Sequence, residues 1–106
     1  MRVMIIAASV AISSLAALPA LAQSPSEQRG LNFVRANCAR CHAIDKIGES
    51  PLKIAPPFRT LHKRYPIETL VEALAEGIST GHPTMPEFRL EPDQIGDLLA
   101  YLKTLE

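Results

Sequence analysis

The residues with the clearest chemistry are Cys38-Ala39-Arg40-Cys41-His42. Two thiols three positions apart on a helical turn share one face, and the following histidine brings an imidazole nitrogen beside them. This C-x-x-C-H pattern is the attachment signature of a c-type haem. The thiols add to the two vinyl groups on one porphyrin edge, and His42 becomes the proximal iron ligand. Three other uses of the pair fit less well. A thioredoxin-like C-x-x-C follows a strand in a βαβ pattern, and no such pattern surrounds Cys38. A zinc site wants a third and fourth ligand, and these two are the only cysteines. A structural disulfide leaves the adjacent His42 without a role.

The compartment bears on those thiols. Met1-Arg2 gives a short positive start, Val3 to Ala17 is nearly all apolar, and Pro19-Ala20-Leu21-Ala22 ends in small residues. The pattern predicts a cleavable secretory signal over residues 1–22, cut after Ala22. Read as a membrane anchor, the run is too short for roughly 30 Å of hydrocarbon at about 1.5 Å per residue. Gln23 rather than cysteine follows the cut, so no lipid attachment is indicated. The expected mature chain is one domain, residues 23–106, soluble, periplasmic and without stable membrane insertion. Free thiols in an oxidising space normally pair, and here haem can consume both.

Composition agrees with a prosthetic group. The chain has two tyrosines, three phenylalanines and no tryptophan, so its side chains alone build a modest core. A large apolar cofactor makes up the difference, as disulfides or metals do in other small scaffolds. The apo chain is expected to fold poorly. Net charge is zero but unevenly placed: residues 23–65 hold eight Lys/Arg against three Asp/Glu, and residues 66–106 hold two against eight. Such a split can orient docking on charged redox partners. No basic run or aromatic-interleaved patch suggests nucleic acid.

Elements must deliver these residues. Ser24-Pro25-Ser26-Glu27 predicts a helix start, with serine as N-cap, proline first and glutamate three residues on. Leu31, Val34, Cys38 and Cys41 continue one helical face into the motif. Gly30 sits inside that helix, either because another helix comes close or as a tolerated surface glycine. Ala43 to Thr60 is aperiodic and rich in proline, and predicts a loop. Pro66 opens a second helix with Ile67, Leu70, Val71, Leu74 and Ile78 on one face, closed by Gly77 in the left-handed conformation. Glu91-Pro92-Asp93 starts a last helix whose apolar face is Ile95, Leu98, Leu99, Leu102 and Leu105. Between these helices stands Met85, flanked by Pro83 and Pro86; Met1 and Met4 lie in the leader.

From the haem motif to the terminal Asp97-Leu98-Leu99-Ala100-Tyr101-Leu102-Lys103, the chain resembles the small class I (monohaem) bacterial c-type cytochromes. The resemblance implies an all-α, cytochrome c-like fold of three or four helices wrapped around one covalent haem. It also implies that Tyr101 and Leu98 cross the first helix at Gly30 and Val34. In the loop Ile54-Ala55-Pro56-Pro57-Phe58 a backbone carbonyl is expected to accept the second ring N–H of the proximal histidine. Pro56 is the candidate, though the doublet does not separate it from Pro57. Met85 is the expected sixth ligand, with His82 as competitor, while His62 reads as a surface or hydrogen-bonding histidine. Arg59, Lys63 and Arg64 are candidate neighbours of the haem propionates, and the sequence does not separate them. The implied function is one-electron transport rather than enzymatic turnover. The alternatives are a dedicated electron-accepting subunit of a periplasmic dehydrogenase, and a haem enzyme or gas sensor with an open distal site.

Overall fold

The structure is a computed structural model that describes residues 3–16, 23–78 and 84–106. Among the described residues there are helices and turns and no strand. Residues 3–16 form no helix, and their large apolar side chains are exposed, Leu15 at 93%. The core is therefore complete without them. No helix of the described residues is long and apolar enough to cross a membrane.

The first helix, α1, spans Pro25–Asn37. Its capping box closes in both directions: Ser24 Oγ accepts from the Glu27 amide at 3.2 Å, and the Ser24 amide donates to Glu27 Oε2 at 3.3 Å. Two of the orphan donors of the first turn are thereby satisfied. The last helix, α3, covers Pro92–Lys103 and is fixed similarly, its Glu91 amide donating to Gln94 Oε1 at 3.1 Å. Ile95, Leu98, Leu99, Leu102 and Leu105 are all buried.

The two helices cross at Gly30, the principal helix–helix contact of the fold. A Cβ built on Gly30 would overlap the Asp97 carbonyl and fall 2.8 Å from the Tyr101 Cβ. Glycine is there because two backbones touch. Val34, one turn on, is completely buried. The crossing is locked at its rim: Arg29 Nε and Nη2 donate to Asp97 Oδ2 and Oδ1 at 2.9 and 3.0 Å, and Ser26 Oγ donates to Oδ1 at 2.8 Å.

Those donors set a pH dependence. The Arg29 guanidinium first, and then the Ser26 hydroxyl, holds the Asp97 carboxyl below the ordinary aspartate range. The folded-state value lies under the unfolded one, so the stabilisation is full at neutral pH and fades as pH falls through the folded-state value. Asp97→Asn is expected to flatten the acid limb of stability below about pH 4. Denaturant midpoints measured across acidic pH on both holoproteins check this.

The middle of the chain departs from the expected single helix. Ile67–Thr69 is a turn of 3-10 helix, and only Leu70–Glu76 is α-helical, forming α2. A three-residue period sets Leu70 in register with Ile67 and turns Val71 outward. Val71 is accordingly 42% exposed, while Ile67 and Leu74 are buried. Gly77 ends α2 at φ 111° and ψ 107°, open to glycine but outside the left-handed helical basin expected of a cap. The predicted loop also stops early, because Phe58–Lys63 is a second 3-10 helix.

Candidate functional site

α1 hands the chain straight into the cysteine motif. The Cys38 amide still donates to the Val34 carbonyl at 2.8 Å, and the Cys41 and His42 amides donate back to the Cys38 carbonyl at 3.2 and 2.9 Å. Both thiols thus sit on one tight turn and line a common cavity. Burial, and secondarily the neighbouring Cys41, pushes the Cys38 thiol up to about 11. The wall it occupies is hostile to charge.

His42 is held from several sides. Its Nδ1 donates to the Pro56 carbonyl at 2.8 Å. A carbonyl only accepts, so Nδ1 carries a proton, and in the neutral ring the lone pair is on Nε2. The Phe58 ring packs on the imidazole at 4.7 Å between centroids, tilted 38°. Around them the backbone is clamped: Leu52 N donates to Cys41 O at 3.1 Å, Phe58 N to Ala43 O at 2.9 Å, and Ala43 N to Ser50 Oγ at 3.0 Å. Tyr101 Oη donates to the Ile44 carbonyl at 2.5 Å, tying α3 to the segment after the motif. Burial raises the Tyr101 pKa, with Asp45 adding to it, so the phenol stays a donor.

The cavity measures about 320 Å³ and its lining includes Cys38, Cys41, His42 and Met85. Most of the remaining wall is apolar, from Phe33, Leu61, Leu74, Phe88 and Leu98 among others. Met85 is half-buried. The loop that carries it is pinned at its base, where Ile78 N donates to Phe88 O at 3.0 Å and Leu90 N to Leu74 O at 2.8 Å. Arg89 also donates from Nε and Nη2 to the Glu76 carbonyl, at 3.2 and 3.0 Å. His82 lies outside the described residues.

The 3-10 helix Phe58–Lys63 sorts the basic candidates. Residues three apart eclipse, so Phe58, Leu61 and Arg64 form one row, and all three line this cavity. Arg59, His62 and Lys63 fall on the other rows and line a separate cleft with Lys46. Among the described lining residues Arg64 is the one side chain with a fixed formal charge, and Tyr65 lies beside it. The sequence showed no sign of this sorting, because six residues of 3-10 helix leave no readable period.

A haem suits this lining. Two thiols, an imidazole lone pair, a thioether, apolar walls and one cation match the edges, faces and propionates of a porphyrin. No group of three or more His, Cys, Asp or Glu able to hold a bare metal ion occurs among the described residues. Iron carried inside a macrocycle needs no such cluster.

Comparison with known proteins agrees. The Cytochrome c family model matches residues 27–106. A "Cytochrome c-553-like" protein of the cyanobacterium Synechocystis is 34% identical over 85 residues, covering 80% of this chain and 74% of the relative. No solved structure matches significantly. The chain belongs to the cytochrome c family. Within it, the chain is a small monohaem c-type cytochrome with an all-α fold and a covalent haem c, a carrier of electrons between redox partners.

Proposed function

We propose that the protein is a periplasmic one-electron carrier, exported by the leader over residues 1–22 and working as the domain of residues 23–106. Cys38 and Cys41 would form the two thioethers, and His42 Nε2 and Met85 Sδ would hold the iron. The observation that carries this reading is the shared cavity, whose lining combines the cysteine pair, a histidine with its lone pair free, and a thioether.

The bound haem supplies the Fe(III)/Fe(II) couple, and the protein sets the conditions for it. Pro56 fixes the imidazole tautomer by accepting from Nδ1, which also raises the basicity of Nε2. Phe58 limits rotation of the ring. Met85, a soft ligand, favours the reduced metal and raises the potential. Apolar walls exclude water and disfavour the more highly charged oxidised state. Arg64 is placed to balance a propionate. With His42 and Met85 both holding the iron, no position would be left open to a substrate, which supports a carrier rather than an enzyme.

Attachment and export are tested together. Expressed with its leader, the protein is expected in the periplasmic fraction with a mass equal to Gln23–Glu106 plus one haem. Acid–acetone should leave the haem with the protein. Haem that partitions into the organic phase, or a chain that retains residues 1–22, contradicts the reading.

A further inference from the structure

The cleft behind the 3-10 helix shares no lining residue with the haem cavity. Lys46, Arg59, His62 and Lys63 converge on it, and Glu106 is the one acidic residue of its lining. Neither ion pair found among the described residues involves any of these four. Thr60, also on the cleft, already donates to the Pro57 carbonyl at 2.7 Å. Arg59 is half-buried, and its Nη1 is sealed from solvent without a hydrogen-bond partner. A guanidinium with a buried, unpartnered donor is costly, and the two lysines on the same cleft deepen the local positive potential. An anion in the cleft would offset that potential.

We propose that this cleft is a binding site for an oxyanion of the phosphate class, separate from the haem. Arg59 is its central residue, because the planar guanidinium offers paired donors to phosphate oxygens. Lys46 and Lys63 act as point charges at the rim, and His62 adds a donor from the row of Arg59. The three-residue period makes this possible: one short helix presents Phe58, Leu61 and Arg64 to the cofactor and Arg59 and His62 to the anion. The proposal does not depend on how the iron is ligated.

Titration of inorganic phosphate into the holoprotein, followed by amide chemical shifts, tests it. Saturable shifts are expected at Lys46 and across residues 59–63, with none from sodium chloride at matched ionic strength. Arg59→Gln should weaken the apparent affinity about tenfold or more, as expected for a charged hydrogen bond. Lys63→Gln, an exposed change that leaves the fold alone, should weaken it less. Lys53→Gln removes a cation away from the cleft and should leave it unchanged. Vesicles containing phosphatidylglycerol identify the source: binding that needs Arg59 and yields to inorganic phosphate marks a lipid headgroup, whereas phosphate binding without vesicle binding marks the free ion. Shifts that chloride reproduces, that do not saturate, or that survive Arg59→Gln overturn the proposal.

Discussion

Met85→Ala is expected to turn the carrier into an open haem protein. The sole methionine of residues 23–106 lines the haem cavity, and alanine offers the iron nothing in its place. Carbon monoxide affinity and peroxidase activity should rise from near zero. The potential should fall by on the order of 0.1 V or more, within the roughly 0.8 V range that axial ligands command. The fold should survive, because the base of the loop is held by Ile78, Phe88, Leu74, Leu90 and Arg89 rather than by the thioether. Redox titration and carbon monoxide titration of purified wild-type and variant proteins give both numbers. Unchanged values would move the sixth ligand elsewhere, with His82 the first candidate.

Gly30→Ala is expected to produce the largest loss of stability from a single methyl group. Alanine is the better helix former by up to about 1 kcal/mol, so helix propensity alone predicts a gain. The crossing reverses the sign. The added Cβ meets the Asp97 carbonyl, which is backbone and cannot rotate away, and the Tyr101 Cβ behind it. Overpacking of this kind costs about 1–3 kcal/mol, and α1 and α3 must separate to relieve it. Separation also strains the Tyr101–Ile44 bond and the segment following His42. Denaturant unfolding of the oxidised holoprotein should show a lower midpoint. Gly96→Ala, on the same kind of helix with open space around its Cβ position, should be neutral or stabilising.

These contrasts show which features the sequence could carry. The capping box at Ser24, the helix start at Glu91 and the buried stripes of α1 and α3 were legible, because each is a local pattern or part of a long period, whereas the role of Gly30 followed only from the family resemblance. Tyr101 was legible as a crossing residue but not as the donor to Ile44, since a hydrogen bond across 57 positions has no sequence signature. The proline doublet left two acceptors open, and geometry alone assigns the Pro56 carbonyl to His42 Nδ1. Val71 was misread because a 3-10 turn before α2 shifts the helical phase. The same short-period geometry hid the division of Arg59, Lys63 and Arg64 between two cavities.

The central claim is a six-coordinate iron held by His42 and Met85 in a protein that only carries electrons. Optical spectroscopy of the wild-type holoprotein tests it most directly, from the visible to the near infrared, in both oxidation states and with carbon monoxide added to the reduced form. The account predicts low-spin spectra throughout, the weak near-infrared band of ferric iron bonded to a thioether, and almost no uptake of carbon monoxide at neutral pH. A high-spin spectrum with ready binding of carbon monoxide would contradict it.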